Sequence, residues 1–156
     1  MTEALAQIQL FDEARTAALA VKLAPILRAG DALLLEGEIG AGKSAFCRAL
    51  IRARAGAEID VPSPTFTLVQ TYDLDGLEFW HCDLYRLTSP EEVLELGLEE
   101  AFDEAVCLIE WPDRLQSAVP ETALTLRFAA HAESHSVAVI GPNAWSVRLK
   151  DVLKDA

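Results

Sequence analysis

The feature that most constrains the fold is a glycine loop between an apolar run and a segment with helical periodicity. The run Leu33-Leu34-Leu35 is followed by the loop GEIGAGKS, which covers residues 37–44, and apolar residues then recur at helical spacing. A loop with so few side chains cannot pack a core. Glycines do allow successive backbone N–H groups to turn inward around an anion. The sequence therefore predicts a strand, an anion-binding turn and a helix, in that order.

The loop matches the pattern G-x-x-x-x-G-K-[ST], which binds nucleotide phosphates when it lies between a strand and a helix. The helix directs its positive end at the anion. Lys43 would place a charge near the terminal phosphates, and the Ser44 hydroxyl could bind Mg²⁺. The alternative is a plain glycine turn with no ligand. We expect a P-loop whose binding residues are Gly37, Glu38, Ile39, Gly40, Ala41, Gly42, Lys43, Ser44 and Ala45.

Length and composition fit one compact domain over residues 1–156. About half of the residues are apolar (51%), which argues against disorder. No apolar run is long enough to cross a bilayer, and the first 15 residues lack the basic and apolar regions of a signal peptide. The three cysteines have no paired spacing, which is typical of reduced thiols. We expect a cytoplasmic protein without a membrane segment.

The net charge of the chain is −12. Such a chain repels a phosphate backbone unless its few basic residues cluster, so direct binding of nucleic acid is disfavoured. Basic protein surfaces are electrostatically better partners.

Strand and helix patterns alternate first, and hairpin patterns follow. This order predicts an α/β fold with a mixed sheet. Asp12 can cap the first helix, Pro25 can kink it, and Ser89 can cap a later one. The predicted strands cover 8–10, 32–35, 67–72, 77–84, 105–109, 122–128 and 136–140. The predicted helices cover 12–28, 44–55, 89–103 and 145–153.

Two carboxylates follow predicted strands downstream of the loop. Glu110 ends the apolar run 105–109, and Asp83 ends the more mixed run 79–82. Each could be a solvated carboxylate at the end of a strand. Hydrolysis of a nucleotide needs a carboxylate for the metal and a group that positions the nucleophile. We assign Glu110 to the metal, and Asp83 to a water-mediated metal contact or to activation of the attacking water.

Other residues near these positions have a structural and a functional interpretation. Thr65 in the segment SPTFT could sense the γ-phosphate, or the segment could be a proline turn that starts a strand. His81 is expected to make a structural hydrogen bond, and Trp80 to pack in the core or an interface. Tyr85 and Arg86 could orient Asp83, contact a partner or form an ordinary surface pair.

Five motifs occur in order over residues 33–115: GEIGAGKS, SPTFTLVQTY, HCDLYRL, LGLEEAF and LIEWPDRL. Together they resemble the bacterial TsaE (YjeE) family, small P-loop ATPases required for threonylcarbamoyladenosine modification of tRNA. The resemblance implies a P-loop sheet with three layers, parallel central strands and antiparallel additions. Ser44 replaces the threonine of many members and keeps the hydroxyl.

The resemblance also implies roles for single residues. Lys43 and Ser44 would bind phosphate and Mg²⁺, and Glu110 would bind Mg²⁺. Thr65 would belong to a switch loop, and Asp83 would be needed for hydrolysis. Trp111 would lie close to the bound ATP. Adenine contacts cannot be carried over from the motifs, and the candidates are Phe11, Thr16 and His131.

The resemblance implies TsaD-like and TsaB-like partners, which form the transferase for the adenosine next to the anticodon of tRNA. Hydrolysis of ATP by this chain would reset that complex between rounds, and tRNA would be contacted only indirectly. Two alternatives remain. A small-molecule kinase would need an arginine-rich lid and an acceptor pocket, and no such lid is evident after Arg52 and Arg54. A nucleotide-dependent binding switch would have negligible turnover.

Overall fold

The computed structural model describes residues 2–38, 40–64, 67–132 and 134–154. Within these residues the chain forms a mixed sheet with helices on both faces, so the predicted α/β class with parallel central strands is confirmed. The strands are β1 (Thr2–Leu10), β2 (Ala32–Glu36), β3 (Val69–Leu74), β4 (Leu77–Asp83), β5 (Val106–Glu110), β6 (Leu124–Ala130) and β7 (His135–Pro142). The helices are α1 (Glu13–Leu23), α2 (Lys43–Ala55), α3 (Pro90–Glu95), α4 (Leu98–Glu104), α5 (Ala144–Arg148) and α6 (Lys150–Leu153).

The strand order is β1-β7-β6-β2-β5-β4-β3. Strands β6, β2, β5 and β4 are parallel to one another, so their carboxyl ends meet at one edge of the sheet. Strand β3 joins antiparallel to β4, and β7 and β1 extend the other side in antiparallel fashion. The glycine loop follows β2, near the middle of the sheet. This topology brings the loop and the ends of β4 and β5 to the same edge.

Alternate residues of the central strands face opposite layers. Leu33 and Leu35 of β2 pack in one core with Phe46 and Leu50 of α2. Leu34 packs in a second core on the other face of the sheet, together with residues of α3 and α4. Both faces of a parallel sheet are covered in this way, which explains why β2 and β5 read as continuous apolar runs. The sheet edge that carries the loop is therefore held rigidly between two cores.

Two predicted helices are wrong in extent because the chain breaks them. The predicted helix 89–103 is split into α3 and α4 at Gly97, whose φ of 82° is left-handed. The predicted helix 145–153 is split at Leu149 into α5 and α6. The first helix ends at Leu23, and a 3₁₀ turn over Ala24–Ile26 follows, since Pro25 has no N–H to continue the α-helix.

The first strand is longer than predicted. It covers Thr2–Leu10 rather than residues 8–10, and it pairs with β7 along its length. Its partner lies more than 120 residues later in the sequence, so no local pattern marks this pairing. None of the helices in the described parts of the chain combines the length and apolar character needed to cross a bilayer.

Candidate functional site

The glycine loop connects β2 to α2 in a conformation that requires glycine at its start. Gly37 has a φ of 134°, and a Cβ atom placed there would lie 2.6 Å from the carbonyl oxygen of Phe128 in β6. Gly42 has a φ of 109° and precedes the first residue of α2. Backbone donors at the start of α2 therefore face the end of the loop, as an anion site requires. Ile39 lies outside the described residues.

Lys43 bends back over the loop from the first turn of α2. Its side chain is buried, with 5% relative exposure, and its Nζ atom donates a hydrogen bond to the carbonyl oxygen of Gly37 at 2.6 Å. The same atom lies 3.7 Å from the centre of the Trp111 ring. Burial lowers the pKa of the Lys43 amine, and the nearby carboxylates of Glu110 and Asp83 oppose that shift. A buried ammonium group thus lies between the loop and two acidic side chains.

Glu110 is buried, and each of its carboxylate oxygens has a partner. Its Oε1 atom accepts a hydrogen bond from Ser44 Oγ at 3.0 Å, and its Oε2 atom lies 2.8 Å from His81 Nε2. Both Glu110 and His81 are almost fully buried, at 3% and 1% relative exposure. These contacts fix the Glu110 carboxylate against the hydroxyl at the end of the loop. His81 makes the structural hydrogen bond that was expected of it.

Asp83 lies beside Glu110 at the same edge of the sheet. The two residues are register partners in the parallel pair β4 and β5. The Oδ1 atom of Asp83 accepts a hydrogen bond from the backbone N–H of Tyr85 at 3.0 Å, and its own N–H donates to the carbonyl oxygen of Leu68. The predicted strand-end placement of both carboxylates is confirmed.

Trp111 follows Glu110 and adopts a left-handed backbone conformation, with φ 60° and ψ 54°. A non-glycine residue in this region is uncommon and often marks a functional site. Its ring contacts the ring of Tyr85, with centroids 4.8 Å apart, and it also covers Lys43. The backbone turn at Trp111 therefore places its ring against both the Lys43 ammonium group and the Tyr85 ring.

A cavity of about 630 Å³ opens at this edge of the sheet. Its volume falls within the usual range for pockets that bind small ligands and cofactors. It is lined by Glu13, Thr16, Gly40, Gly42, Lys43, Ser44, Ala45, Asp83, Tyr85, Glu110, Trp111 and His135. The structure thus brings most of the predicted site residues together around one cavity.

The other candidates are placed differently. Thr16 lines the cavity, but Phe11 and His131 are not among its lining residues. Phe11 is 65% exposed, and the side chain of His131 forms a hydrogen bond with the Ser136 hydroxyl. Trp80 packs at the margin of the second core. Thr65 lies outside the described residues, so its predicted role in a switch loop stays a prediction.

Glu13 and His135 also line the cavity, and neither was among the residues predicted for the site. His135 is the first residue of β7 and pairs with Leu10 of β1. Its position depends on a pairing between the two ends of the chain, for which the sequence offers no local signal. Glu13 directly follows the cap residue Asp12. The sequence pattern indicated the start of α1 there, but it did not indicate that Glu13 lines a cavity.

Comparison with known proteins agrees with this geometry. Residues 10–137 match the family described as threonylcarbamoyl adenosine biosynthesis protein TsaE. The chain belongs to the TsaE family. The resemblance predicted from the five motifs is therefore confirmed.

Several curated relatives carry the name tRNA threonylcarbamoyladenosine biosynthesis protein TsaE. The relative from Rickettsia felis is 38% identical over 145 residues, which cover 93% of this chain and 85% of that protein. The Bacillus subtilis TsaE is 37% identical over 71% of this chain and 69% of its own. The crystal structure of YdiB from Bacillus subtilis has a TM-score of 0.81 at 24% identity and covers 99% of this chain and 97% of its own, which shows a common fold.

Proposed function

We propose that this TsaE-family chain is a single-domain ATPase, accessory to the threonylcarbamoyladenosine modification of tRNA in the cytoplasm. The observation that supports it best is the convergence of Lys43, Ser44, Asp83 and Glu110 on one cavity. A phosphate group needs a cationic and N–H-rich cradle, whereas a metal needs oxygen ligands. The cavity offers both within one group of side chains.

The residues present fit an ATP phosphate chain with Mg²⁺. Without a side chain, Gly37 lets the loop backbone lie close to the Phe128 carbonyl oxygen of β6, and Lys43 keeps a buried ammonium group beside the loop. The Ser44 hydroxyl and the Glu110 carboxylate, 3.0 Å apart, are the hard oxygen ligands that Mg²⁺ prefers. When bound, Mg²⁺ would neutralise charge on the transferred phosphoryl group. Ser44 and Glu110 would hold it, and Gly37 to Ala45 would bind the phosphates.

Asp83 supports hydrolysis in this proposal. Its side chain lines the same cavity, and it is buried with 7% relative exposure. A carboxylate in that position can orient a water molecule and accept its proton. Asp83 would therefore act on the attacking water or contact the metal through a water molecule. Thr65, which precedes β3 in the chain, is proposed as the residue that senses the γ-phosphate.

Trp111 is proposed to close the phosphate site on the side away from the loop. The Trp111 ring contacts Lys43 and Tyr85, and the strained backbone at Trp111 fixes its direction. An aromatic cover excludes water from the cation and its ligand, which strengthens their attraction. Thr16, at the cavity wall formed by α1, is the remaining candidate for a contact to the nucleoside.

We further propose that the chain acts on a complex of TsaD-like and TsaB-like proteins. A net charge of −12 disfavours strong binding to tRNA by this chain alone, since release of counterions requires basic contacts. The names of its relatives tie the family to tRNA threonylcarbamoyladenosine biosynthesis. A nucleotide-dependent change in the loop around Thr65 would alter the surface shown to the partner.

A small-molecule kinase is the main alternative. Such an enzyme closes arginines over the phosphates, yet among the described residues no arginine lines the cavity. Arg52 and Arg54 on α2 instead donate hydrogen bonds to backbone carbonyls of Ile59, Ala24 and Leu27. These arginines therefore tie α2 to neighbouring segments of the chain rather than facing the cavity.

One experiment separates the proposed ATPase from its alternatives. The purified chain is incubated with ATP and Mg²⁺, with and without TsaD and TsaB, and both phosphate release and ATP binding are measured. We expect slow Mg²⁺-dependent phosphate release that rises in the complex. Tight binding of ATP without release under either condition would indicate a binding switch, and phosphate transfer to an added small molecule would indicate a kinase.

A further inference from the structure

Three side chains of types that can bind a metal ion form a cluster next to the cavity, where α2 packs on the sheet. Cys47 of α2, His81 of β4 and Glu110 of β5 each present one ligand atom, and these atoms all lie within 4.8 Å of one another. The three side chains are buried, with relative exposures of 0%, 1% and 3%. Cys47 follows Ser44 by three residues on α2, so both project from one face of the helix. The cluster shares Glu110 with the cavity above it.

The chemistry of these ligands differs from that of the cavity. A thiolate, an imidazole and a carboxylate are the ligands of zinc, whereas Mg²⁺ selects oxygen atoms. We propose that Cys47, His81 and Glu110 form a binding site for a thiophilic divalent cation of the zinc class. Occupation of this site offsets the charge of the Glu110 carboxylate, which also faces Ser44, and inhibits the nucleotide site. The inhibition rests on the proposed ATPase function, but binding of the cation does not.

The geometry is close to that of a metal site. Ligand atoms around a tetrahedral zinc ion lie roughly 3.5 Å apart. In this cluster His81 Nε2 and Glu110 Oε2 are 2.8 Å apart, and the widest separation is at most 4.8 Å. Shifts of about 1 Å, within the range of small side-chain rotations, bring the three atoms to the required distances. Glu110 lines the cavity, which supplies a route for the ion and a position for a fourth ligand such as water.

His81 has unused binding capacity. Its Nδ1 atom is buried and makes no hydrogen bond within the described part of the chain. No partner of Nδ1 among the described residues therefore fixes the tautomer of the ring. With the ring proton on Nδ1, the Nε2 atom offers a lone pair to a cation held together with Glu110 Oε2. His81 can thus serve as a neutral ligand without losing a proton.

Binding is a ligand exchange and involves no electron transfer. The Cys47 thiol loses its proton to solvent, the cation loses water molecules, and sulfur, nitrogen and carboxylate oxygen take their places. The bound cation offsets the negative charge of the Glu110 carboxylate, whose other oxygen faces Ser44. A second dication at that oxygen is repelled by the first, so zinc acts as an antagonist of Mg²⁺.

The other two cysteines of the chain provide matched controls. Cys82 and Cys107 are also buried, but they pack in the core on the opposite face of the sheet, with Leu34 and Ile109. Cys47 packs in the core beneath α2. A substitution of Cys82 or Cys107 removes a buried thiol of the same size without touching the cluster.

The test measures zinc binding by the nucleotide-free chain, in competition with a chromophoric chelator, and uses Co²⁺ as a spectroscopic probe. We expect one zinc ion per chain and a thiolate-to-cobalt absorption band. Cys47→Ala and Cys47→Ser should each weaken zinc binding on the order of 100-fold or more and abolish the band. Cys82→Ala and Cys107→Ala should leave both unchanged. The Cys47 variants should bind ATP as the unaltered chain does, which establishes that they are folded.

The second arm measures Mg²⁺-dependent ATP hydrolysis with increasing zinc. Zinc should inhibit the unaltered chain and the Cys82→Ala control, but not Cys47→Ala. Zinc affinity that is equal in the unaltered chain and the Cys47 variants, or absent in all of them, would overturn the proposed site. If zinc binding depends on Cys47 but no protein hydrolyses ATP, the site stands and the proposed ATPase function is contradicted.

Discussion

Asp83 and Glu110 leave the sheet side by side, as register partners at the ends of adjacent parallel strands. They are held differently. Glu110 is fixed by Ser44 and His81, whereas Asp83 accepts a hydrogen bond from the backbone of Tyr85. The side chain that faces the hydroxyl of the loop is suited to a metal, and the other is suited to a water molecule. The proposed division of roles between these two carboxylates rests on these different partners.

That division is tested by Glu110→Gln and Asp83→Asn, which remove charge but keep size. Glu110→Gln should raise the Mg²⁺ concentration needed for tight ATP binding by about 10- to 100-fold, because a metal ligand is lost. Asp83→Asn should leave ATP affinity within about threefold and lower the hydrolysis rate by on the order of 100-fold or more. Calorimetry at several Mg²⁺ concentrations and phosphate release measure the two effects. Glu100→Gln, an exposed substitution on α4, serves as the control. The opposite pattern would mean that the two roles are exchanged.

Lys43→Ala should abolish measurable ATP binding or weaken it by about 10- to 100-fold. The substitution removes a charge-assisted contact to phosphate worth about 1.5–3 kcal/mol. The matched control is Lys154→Ala, which removes an exposed lysine at the other end of the chain. ATP affinity by calorimetry compares the two variants. Equal affinities in Lys43→Ala and the control would rule out Lys43 as a phosphate ligand.

His81 is expected to position Glu110 rather than to contact the nucleotide. His81→Leu leaves Glu110 Oε2 buried without its partner, whereas His81→Gln can keep an N–H donor there. His81→Leu should therefore raise the Mg²⁺ concentration required for ATP binding by about 10-fold. His81→Gln should bring that concentration most of the way back to the value of the unaltered chain. Thermal unfolding accompanies the assay, since a loss of stability alone would not change the Mg²⁺ dependence. An unchanged Mg²⁺ requirement in His81→Leu would contradict the positioning role.

Gly37→Ala should lower the free energy of unfolding by more than about 2 kcal/mol, since its Cβ would meet the Phe128 carbonyl oxygen at 2.6 Å. Gly76→Ala in the β3–β4 turn is the control. Its φ of 82° is also left-handed, but a Cβ there meets no atom within 4 Å. The control should cost about 1 kcal/mol from backbone strain alone. Urea unfolding measures both variants, and equal losses would show that the contact with Phe128 does not restrict residue 37.

Much of the site could be predicted because its signals are local. The glycine loop with its flanking strand and helix lies within 25 residues, and each carboxylate ends a predicted strand. Local periodicity and spacing are sufficient for such elements. That Asp83 and Glu110 lie next to each other could not be predicted from local signals. Their neighbouring positions depend on β4 and β5 being adjacent in the sheet, which the residue pattern of either strand does not specify.

The features that sequence reasoning missed depend on long-range contacts or on single backbone angles. His135 reaches the cavity because β7 pairs with β1, and Cys47 meets His81 and Glu110 only once α2 lies on the sheet. The break between α3 and α4 occurs because Gly97 adopts a left-handed conformation, although the surrounding residues are compatible with one helix. Tertiary packing and backbone conformation decide these points, and helix propensity does not.

We propose that hydrolysis of ATP by this chain permits repeated rounds of tRNA modification by its partners. Purified TsaD and TsaB, tRNA and the substrates of the modification are combined with this chain, with its Asp83→Asn variant, or with neither, and modified tRNA per transferase complex is counted over time. We expect many rounds with the unaltered chain, and a single round or less without the chain or with Asp83→Asn. Repeated rounds in the absence of the chain, or with Asp83→Asn at the unaltered rate, would contradict the proposed role of ATP hydrolysis.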